Sequence, residues 1–468
     1  HCSDIREVVT PNLKGTEGYI YYINLSNDDY KLGGSSFGQV NNKIGDDTPT
    51  INDIDFFKKT FDLIQHLIKE DKILSGHDIS SGGLITSLLE MCFTDNNSGM
   101  DINLSSLNEE DIIKILFSEN SGIIFQSKSK LNKFFDKKEI TFHEIGKVIN
   151  SNYLNIKNYN DLYSLNISEY RDVWFSTSYN FDKIQTKNKL ANKRFENYKK
   201  QPLEFIFPKK FTGKILNSTN KINAAIIREK GSNSEREMAY MMSLSGFNVK
   251  DVHMTDIISG RENLKDISLL VAVGGFSNSD VLGSAKGWAG SFIYNKKAKQ
   301  TLNDFFNRDD SMSLGVCNGC QLFIELGLIN NDHDLKPKME YNDSGKFECI
   351  FTSVKIQDSP SIMMKGMEGS NLGVWAAHGE GKFIFPYDES KYTIPAKYSY
   401  NEYPANPNGS NYNAAMLTSN DGKHLVMMPH LERSIYPHNW AYYPENRKDE
   451  VSPWVIAFNN AYDWLKNK

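Results

Sequence analysis

One cysteine lies between two glycines and is the residue in this chain best suited to act as a nucleophile. Within residues 312–328 an apolar stretch leads through Gly315 to Cys317, and apolar residues at helical spacing follow. The pattern Gly-x-Cys-x-Gly is typical of a sharp strand-to-helix turn, because small neighbours tolerate the strained backbone there. The positive end of the helix dipole would favour the reactive thiolate. We therefore expect a catalytic cysteine, although a lone intracellular cysteine is more often buried and inert.

A histidine and a glutamate two residues apart are candidates to activate that thiol. His430 and Glu432 follow a short apolar strand expected at 425–428. A thiolate nucleophile needs a base, and the base needs a group that orients it. The sequence therefore predicts His430 as the base and Glu432 as its orienting carboxylate. Taken alone, the pair is equally compatible with a surface histidine beside a glutamate that starts a helix.

Alternating strands and helices must position these residues. Strands are expected at 223–227 and 269–273, a helix at 235–245, and a final helix at 454–465. This alternation predicts an open, mostly parallel α/β sheet over residues 222–468. The second strand ends in Gly274-Gly275, and a glycine pair at such a place can direct backbone N–H groups at an oxyanion.

A second block of chemical interest lies in the first 180 residues. Asp78 and Ser80 precede two glycines between an expected strand at 72–75 and a helix that ends near Met91. A carboxylate suits Mg²⁺, while a hydroxyl and backbone N–H groups at a helix start suit phosphate. Asp78 as a plain helix cap is the alternative. The glycine pair at residues 33–34 is a weaker phosphate-loop candidate, since a turn explains it equally well.

Composition limits the remaining possibilities. The chain has 468 residues, 39% of them hydrophobic, which allows two or three domains with real cores. A net charge of −5 gives no reason to expect nucleic acid or an anionic membrane as partner. Apolar runs stay below the roughly 18 residues of a membrane span. The five cysteines include the pair Cys317 and Cys320 but no second ligand pair, so a reducing cytoplasm is expected rather than a zinc site. The start at His1, without methionine, suggests a fragment or a processed piece.

The motifs together resemble a known family. GVCNGCQ, WAAHGEGKF and MMPHLER resemble class I glutamine amidotransferases, and GSNSEREMA, VTPNLK, LGGSSFGQV and GHDISSGGL resemble large single-chain phosphoribosylformylglycinamidine (FGAM) synthases of purine biosynthesis. The resemblance implies an α/β fold: a flavodoxin-like class I glutaminase domain with a parallel sheet at 222–468, a linker at 181–221, and an α+β domain of the AIR-synthetase C-terminal type at 1–180. It also implies core strands in LFSENSG and HEIGKV.

The resemblance assigns roles to individual residues. It makes Cys317, His430 and Glu432 catalytic and gives oxyanion donors to Gly275 and Asn318. It places glutamine binding at Gln321, Lys346, Phe347 and His378, nucleotide binding at Ser80 and magnesium at Asp78. Three departures from the family pattern are visible: Leu431 in place of proline, Ser81 in place of aspartate, and Asn278-Ser279 in place of an aromatic-glycine pair.

The implied activity is hydrolysis of glutamine to glutamate and ammonia. With ATP and Mg²⁺, the ammonia would convert formylglycinamide ribonucleotide to FGAM, a step expected to need an N-terminal portion that this chain lacks. The nucleotide half-site is either catalytic or structural. One alternative is a non-catalytic scaffold, which the intact catalytic residues argue against. Another is the glutaminase of a different amidotransferase, which VTPNLK, GHDISSGGL and GSNSEREMA disfavour because such an enzyme needs none of them.

Overall fold

The chain forms two compact units, His1–Ser178 and Tyr179–Lys468, in a computed structural model. The structure describes residues 4, 7–94, 97–200, 204–216, 221–444 and 446–468. The three-part division at residues 180 and 221 stays a prediction, and the segment expected to be a linker contains helical residues of the second unit.

The first unit is an α+β structure, as expected. Its elements are β1 (Tyr19–Asn24), α1 (Ser36–Val40), α2 (Ile54–Lys69), β2 (Ser75–Asp78), α3 (Gly83–Cys92), β3 (Ser98–Asn103), α4 (Ile112–Phe117), β4 (Gly122–Ser127), α5 (Asn132–Lys137), β5 (His143–Asn150), β6 (Tyr153–Asn158), β7 (Asp161–Asn166) and α6 (Ile167–Gln185), whose C-terminal end belongs to the second unit. The strands form one sheet in the order β2-β4-β1-β5-β3-β6-β7. Neighbours are antiparallel except β3 and β6, which are parallel.

Two local predictions in this unit need correction. The strand expected at 72–75 begins only at Ser75, because the ladder with β4 starts there. The apolar residues Ile73 and Leu74 lie in the connection after α2 instead. LFSENSG is the end of α4 and a loop rather than a core strand, since polar residues interrupt its pattern, whereas the HEIGKV strand is confirmed as β5.

The second unit is built around a parallel sheet. Its elements are α7 (Leu190–Asn197), β8 (Ile222–Arg228), α8 (Glu235–Leu244), β9 (Phe247–His253), α9 (Met254–Ser259), β10 (Leu269–Ala272), α10 (Lys286–Ile293), α11 (Lys296–Phe306), β11 (Met312–Val316), α12 (Asn318–Glu325), β12 (Lys338–Glu340), β13 (Glu348–Ile356), β14 (Asn371–His378), β15 (Lys382–Ile384), β16 (Ala396–Tyr398), β17 (Met416–Thr418), β18 (His424–Met427) and α13 (Val455–Lys466).

The strand order in this sheet is β17-β18-β11-β10-β8-β9. All neighbours are parallel except the edge strand β17. Counted in chain order, the five parallel strands follow the 2-1-3-4-5 order of flavodoxin-like folds, so the predicted fold class is confirmed. Strands β10 and β11 are buried along their whole length, as the continuous apolar runs of a parallel sheet require.

Two smaller sheets complete the second unit. β14, β13 and β16 form an antiparallel sheet, and β12 pairs with β15. The isolated bridge between Trp375 and His430 connects β14 to the segment that follows β18. In the part of the chain that the structure describes, no helix is long and apolar enough to cross a membrane.

Candidate active site

Cys317 lies at the sharp turn between β11 and α12. Its backbone has φ 52° and ψ −106°, a conformation that L-residues rarely adopt. The turn is held by a hydrogen bond of 2.8 Å from the Cys317 N–H to the carbonyl of Met427. The turn also requires a glycine two residues after Cys317, because a Cβ on Gly319 would lie 2.0 Å from the carbonyl oxygen of Ala272. The glycines around the cysteine therefore allow α12 to pack directly against β10.

His430 and Glu432 form a buried pair beyond the end of β18. Nδ1 of His430 and Oε1 of Glu432 are 2.6 Å apart, and each residue is 1% exposed. The backbone N–H of His430 donates to the carbonyl of Trp375 at 2.7 Å. Burial alone would lower the pKa of His430, but the charges of Glu432 and Cys317 outweigh it and raise that pKa. Burial likewise opposes the charge on Glu432, yet the adjacent imidazolium holds the pKa of this carboxyl below its usual range. Glu432 thus stabilises the protonated form of His430.

The thiol and the imidazole flank one glycine. A Cβ on Gly274 would lie 2.7 Å from Cε1 of His430 and 3.4 Å from Cβ of Cys317. In this conformation the thiol donates to the carbonyl of Ala377 at 3.6 Å. Nε2 of His430 is buried and has no hydrogen-bond partner among the described residues. This nitrogen is therefore available to exchange a proton with the thiol or with a substrate, and such contacts often tighten only when substrate binds.

The two predicted oxyanion donors lie at adjoining strand ends. Gly275 follows β10 with φ 121°, and Asn318 is the first residue of α12, where a helix leaves its backbone N–H groups free. The Asn318 side chain joins the two places: its Oδ1 accepts from the N–H of Ser277 at 3.1 Å, and its Nδ2 donates to Oε1 of Gln321 at 2.7 Å. The loop after β10 is thereby tied to the helix that follows the nucleophile.

A cavity of about 350 Å³ lies at the carboxyl ends of the parallel strands. Ligands in open α/β sheets bind at this edge. Seven of the residues predicted from the sequence line it, namely Gly275, Cys317, Gln321, Lys346, Phe347, His378 and His430. Glu432 lies behind His430, and Asn318 lies beside Gln321. The structure thus brings all nine predicted residues of the second unit together.

His378 is a neutral hydrogen-bond donor and not a second base. It is 2% exposed, and burial together with the charge of His430 lowers its pKa to about 3. Its Nε2 lies 3.0 Å from the amide nitrogen of Asn408, which can only donate, so the proton of His378 is on Nδ1. That N–H is buried and without a partner among the described residues. It is available to a ligand in the cavity.

Two of the side chains predicted to bind glutamine form polar contacts with other residues of the protein. Nε2 of Gln321 donates to the carbonyl of Glu380 at 2.7 Å, so this amide holds the HGEG loop. Lys346 forms an ion pair with Asp182. Asp182 also lies 3.4 Å from Arg194, whose guanidinium donates to Glu348 at 2.6 Å. Residues of the expected linker therefore position one wall of the cavity.

Several residues of the cavity were not identified from the sequence. They are Asn233, Phe276, Asp280, Tyr341 and Arg433. A weak signal existed for some of them: Asn233 and Asp280 follow the strands β8 and β10, and Arg433 directly follows Glu432. Residues after the strands of a parallel sheet meet at one edge, so the position of these residues after strands is the signal that could have identified them.

Asp78 and Ser80 have a different setting in the first unit. The side chain of Asp78 is 82% exposed, and Ser80 is also exposed. The described residues contain no group of three His, Cys, Asp or Glu side chains placed to hold a metal ion. The roles of Asp78 in magnesium binding and of Ser80 in nucleotide binding stay predictions.

The carboxylate of one glutamate accepts hydrogen bonds from backbone N–H groups of both glycine loops in that unit. Oε1 of Glu119 accepts from Gly82 and from Ser36, each at 2.8 Å. Burial opposes its charge, but these hydrogen bonds keep the pKa of Glu119 below its usual range. The two loops singled out in the sequence are thus adjacent, with a carboxylate where a phosphate was expected.

Two protein-family models match the chain, one in each unit. Residues 221–465 match the CobB/CobQ-like glutamine amidotransferase domain, and residues 23–157 match the C-terminal domain of AIR synthase related proteins. The chain is 39% identical to the probable phosphoribosylformylglycinamidine synthase, chloroplastic/mitochondrial, of Arabidopsis thaliana, a match that covers 100% of the chain and 35% of that protein.

Two further relatives have the same name. The phosphoribosylformylglycinamidine synthase of Dictyostelium discoideum is 36% identical, with 98% of the chain and 38% of that protein covered. The human phosphoribosylformylglycinamidine synthase is 34% identical, with 99% of the chain and 38% of that protein covered. The chain therefore spans little more than a third of the length of these relatives.

Proposed function

The chain belongs to the CobB/CobQ-like glutamine amidotransferases and corresponds to the C-terminal part of phosphoribosylformylglycinamidine synthases, and from that premise we propose that its second unit hydrolyses glutamine to glutamate and ammonia. One observation supports this most strongly. A cysteine at a strained strand-to-helix turn shares a cavity with a histidine that is hydrogen-bonded at 2.6 Å to a buried glutamate.

The proposed reaction begins with attack on the side-chain amide of glutamine. The thiolate of Cys317 forms a bond to the amide carbon, and the backbone N–H groups of Gly275 and Asn318 stabilise the resulting oxyanion. His430, protonated at Nε2, gives a proton to the amide nitrogen, and the C–N bond breaks to release ammonia. The product is a glutamyl thioester on Cys317.

Water completes the cycle. His430, now neutral, takes a proton from a water molecule, and the resulting hydroxide attacks the thioester carbon. The C–S bond breaks, the new carboxylic acid loses its proton to solvent and leaves as glutamate, and the thiolate is restored beside a protonated His430. Throughout, Glu432 keeps Nδ1 of His430 as a donor, so that Nε2 faces the reacting atoms.

The acceptor of the ammonia is proposed from the relatives. The relatives are named for the synthesis of FGAM, and we propose that the ammonia converts formylglycinamide ribonucleotide to FGAM, with ATP and Mg²⁺ as further requirements. The match of residues 23–157 to the AIR-synthase-related domain supports a nucleotide-dependent partner reaction over an isolated glutaminase. We also propose a cytoplasmic location, while the Arabidopsis relative is named as chloroplastic/mitochondrial.

Release of glutamate from glutamine by the purified chain tests the glutaminase proposal. Cys317→Ala should abolish release, because Cys317 is the one cysteine among the described residues that lines the cavity. Cys349→Ala is the matched control, since Cys349 is exposed and lies outside the cavity. Equal release by the wild-type chain and Cys317→Ala would overturn the proposal. Absence of release from all three chains, with or without the acceptor nucleotide and ATP, would instead favour a scaffold.

A further inference from the structure

A second cysteine follows the nucleophile on the same helix. Cys317 lies at the junction of β11 and α12, and Cys320 is the third residue of α12. A Cys-x-x-Cys pair between a strand of a parallel sheet and a helix is typical of redox-active dithiols. The parallel pairing of β11 with β10 and β18 provides this context. The proposed hydrolysis of glutamine uses Cys317 alone and assigns no role to Cys320.

The helix keeps the two cysteines within reach of each other. The carbonyl of Cys317 accepts from the N–H of Gln321 at 3.0 Å, so the helical hydrogen-bond pattern begins at the cysteine turn. Residues three apart in a helix have Cα atoms about 5 Å apart, which is inside the range found in disulfides. Their Cβ atoms are roughly 5–6 Å apart, so side-chain rotation and a small shift of the first helical turn are enough to form the bond.

The two thiols have different surroundings. Cys317 lines the cavity beside His430, whose positive charge favours the thiolate, the form that peroxides oxidise. Cys320 is fully buried, and this burial, together with the charge of Cys317, raises the pKa of its thiol well above the usual range. A small oxidant in the cavity therefore reacts with Cys317. Cys320 needs no access to solvent, because it reacts within the chain.

We propose that Cys317 and Cys320 form a reversible disulfide that protects the nucleophile from irreversible oxidation. The thiolate of Cys317 first attacks hydrogen peroxide, the O–O bond breaks, and a sulfenic acid and hydroxide form. The sulfur of Cys320 then attacks the sulfenic sulfur, an S–S bond replaces the S–OH bond, and the hydroxyl group leaves with the Cys320 proton as water. The two cysteines together lose two electrons, which the peroxide takes up.

The disulfide switches off the proposed glutaminase. The sulfur that attacks glutamine is then bonded to Cys320 and is no longer a nucleophile. A dithiol reductant restores both thiols, whereas a sulfinic acid on Cys317 would be permanent. The inference rests on the proposed glutaminase function, in which Cys317 is the nucleophile, and adds a modification that regulates this residue.

Peroxide treatment followed by mass spectrometry tests for the bond. The chain is reduced, freed of reductant, treated with hydrogen peroxide, alkylated with iodoacetamide and digested with trypsin. Both cysteines lie on one tryptic peptide, residues 309–338. We expect this peptide to lose two hydrogen atoms and to carry no alkyl group. After dithiothreitol it should be alkylated at both cysteines.

Cys320→Ala removes the second thiol and should release glutamate like the wild-type chain before oxidation. After peroxide, the wild-type chain should lose activity at least about tenfold and regain it with dithiothreitol. Cys320→Ala should regain less than about half, because its sulfenic acid proceeds to sulfinic acid. Dimedone, which labels sulfenic acids, should label Cys317 strongly in Cys320→Ala and weakly in the wild-type chain.

Two further variants serve as controls. Cys349→Ala removes an exposed cysteine outside the cavity and should behave like the wild-type chain in every assay. Cys320→Ser is a near-isosteric replacement that also removes the second thiol, and it should repeat the result of Cys320→Ala. Circular dichroism of each variant establishes that the fold is retained.

The outcomes separate this inference from the proposed function. Two alkylated cysteines on peptide 309–338 after peroxide treatment overturn the inference. Equal recovery of the wild-type chain and Cys320→Ala also overturns it, and in both cases glutamate release before oxidation leaves the glutaminase standing. Formation of the disulfide in a chain that never releases glutamate supports the bond and overturns the glutaminase.

Discussion

Glu432 determines how His430 ionises, since it is the buried carboxylate hydrogen-bonded to Nδ1. Glu432→Gln keeps the shape but removes the charge that stabilises the imidazolium. We expect the kcat for glutamate release to fall about 100-fold or more, with KM nearly unchanged, because the substitution impairs proton transfer by His430 and not the binding of glutamine. Steady-state kinetics measures both constants. A rise in KM with unchanged kcat would contradict the orienting role.

Asp280 should make glutamine binding depend on pH. The raised pKa of about 6 means that this carboxyl gains a proton as the pH falls below 6, and Glu380 is the charged group that faces it. Asp280 lines the cavity in which glutamine is proposed to bind, and the α-ammonium group of glutamine remains charged throughout this range. KM for glutamine should therefore rise between pH 7 and pH 5 in the wild-type chain and stay flatter in Asp280→Asn. Identical profiles for the two chains would show that another group titrates.

At the end of β10, Gly274 leaves the space that His430 occupies. An added Cβ would lie 2.7 Å from Cε1 of His430, closer than real contacts allow. Gly274→Ala should therefore displace the imidazole and lower kcat about tenfold or more, since proton transfer needs hydrogen-bond geometry. Gly290→Ala, where the added Cβ meets Tyr294 at an ordinary 3.8 Å, is the matched control and should leave kcat unchanged. Full activity of Gly274→Ala would show that His430 tolerates displacement.

Helix α7, in the segment expected to be a linker, contributes to the stability of the second unit. Arg194 pairs at 2.6 Å with Glu348, whose side chain is 3% exposed and also accepts from the hydroxyl of Tyr403. Arg194→Met would leave this buried carboxylate partly unpaired. Since Arg194 is 35% exposed, we expect a loss of only about 1–3 kcal/mol in the free energy of unfolding.

Urea unfolding followed by tryptophan fluorescence measures this loss, because five of the six tryptophans lie in the second unit. Lys214→Met is the control. It breaks the pair with Glu450, in which both partners are largely exposed, and should lower the free energy of unfolding much less than Arg194→Met does. Equal effects of the two substitutions would show that the Arg194 contact contributes no more to stability than an exposed ion pair does.

Over the whole molecule, most local patterns were predicted correctly, whereas several contacts between charged residues far apart in the chain were not. The cysteine turn, the parallel strands and the helices depend on spacing within about ten residues, which a single sequence shows directly. The pair of Asp182 with Lys346 joins residues 164 positions apart, and Asp182 lies in the segment that was expected to be a linker. Glu119 was missed for the same reason, because only the fold brings it to Gly82 and Ser36.

The errors at strand ends also arise because strand pairing is a contact between distant parts of the chain. Ile73 and Leu74 have strand-like side chains, but pairing with β4 begins at Ser75. Likewise, Asp280 and Arg433 reach one cavity because β10 and β18 end at the same edge of a sheet. A sequence shows that such residues follow strands, whereas the strand order decides which of them meet.

Covalent capture tests the central claim most directly. The chain is mixed with glutamine, quenched in acid within the first turnovers, digested and analysed by mass spectrometry. We predict a glutamyl group on the peptide that contains Cys317, with none on Cys320 or Cys349 and none in the Cys317→Ala chain. Release of glutamate without any glutamyl-Cys317, or with the glutamyl group on another residue, would contradict the account.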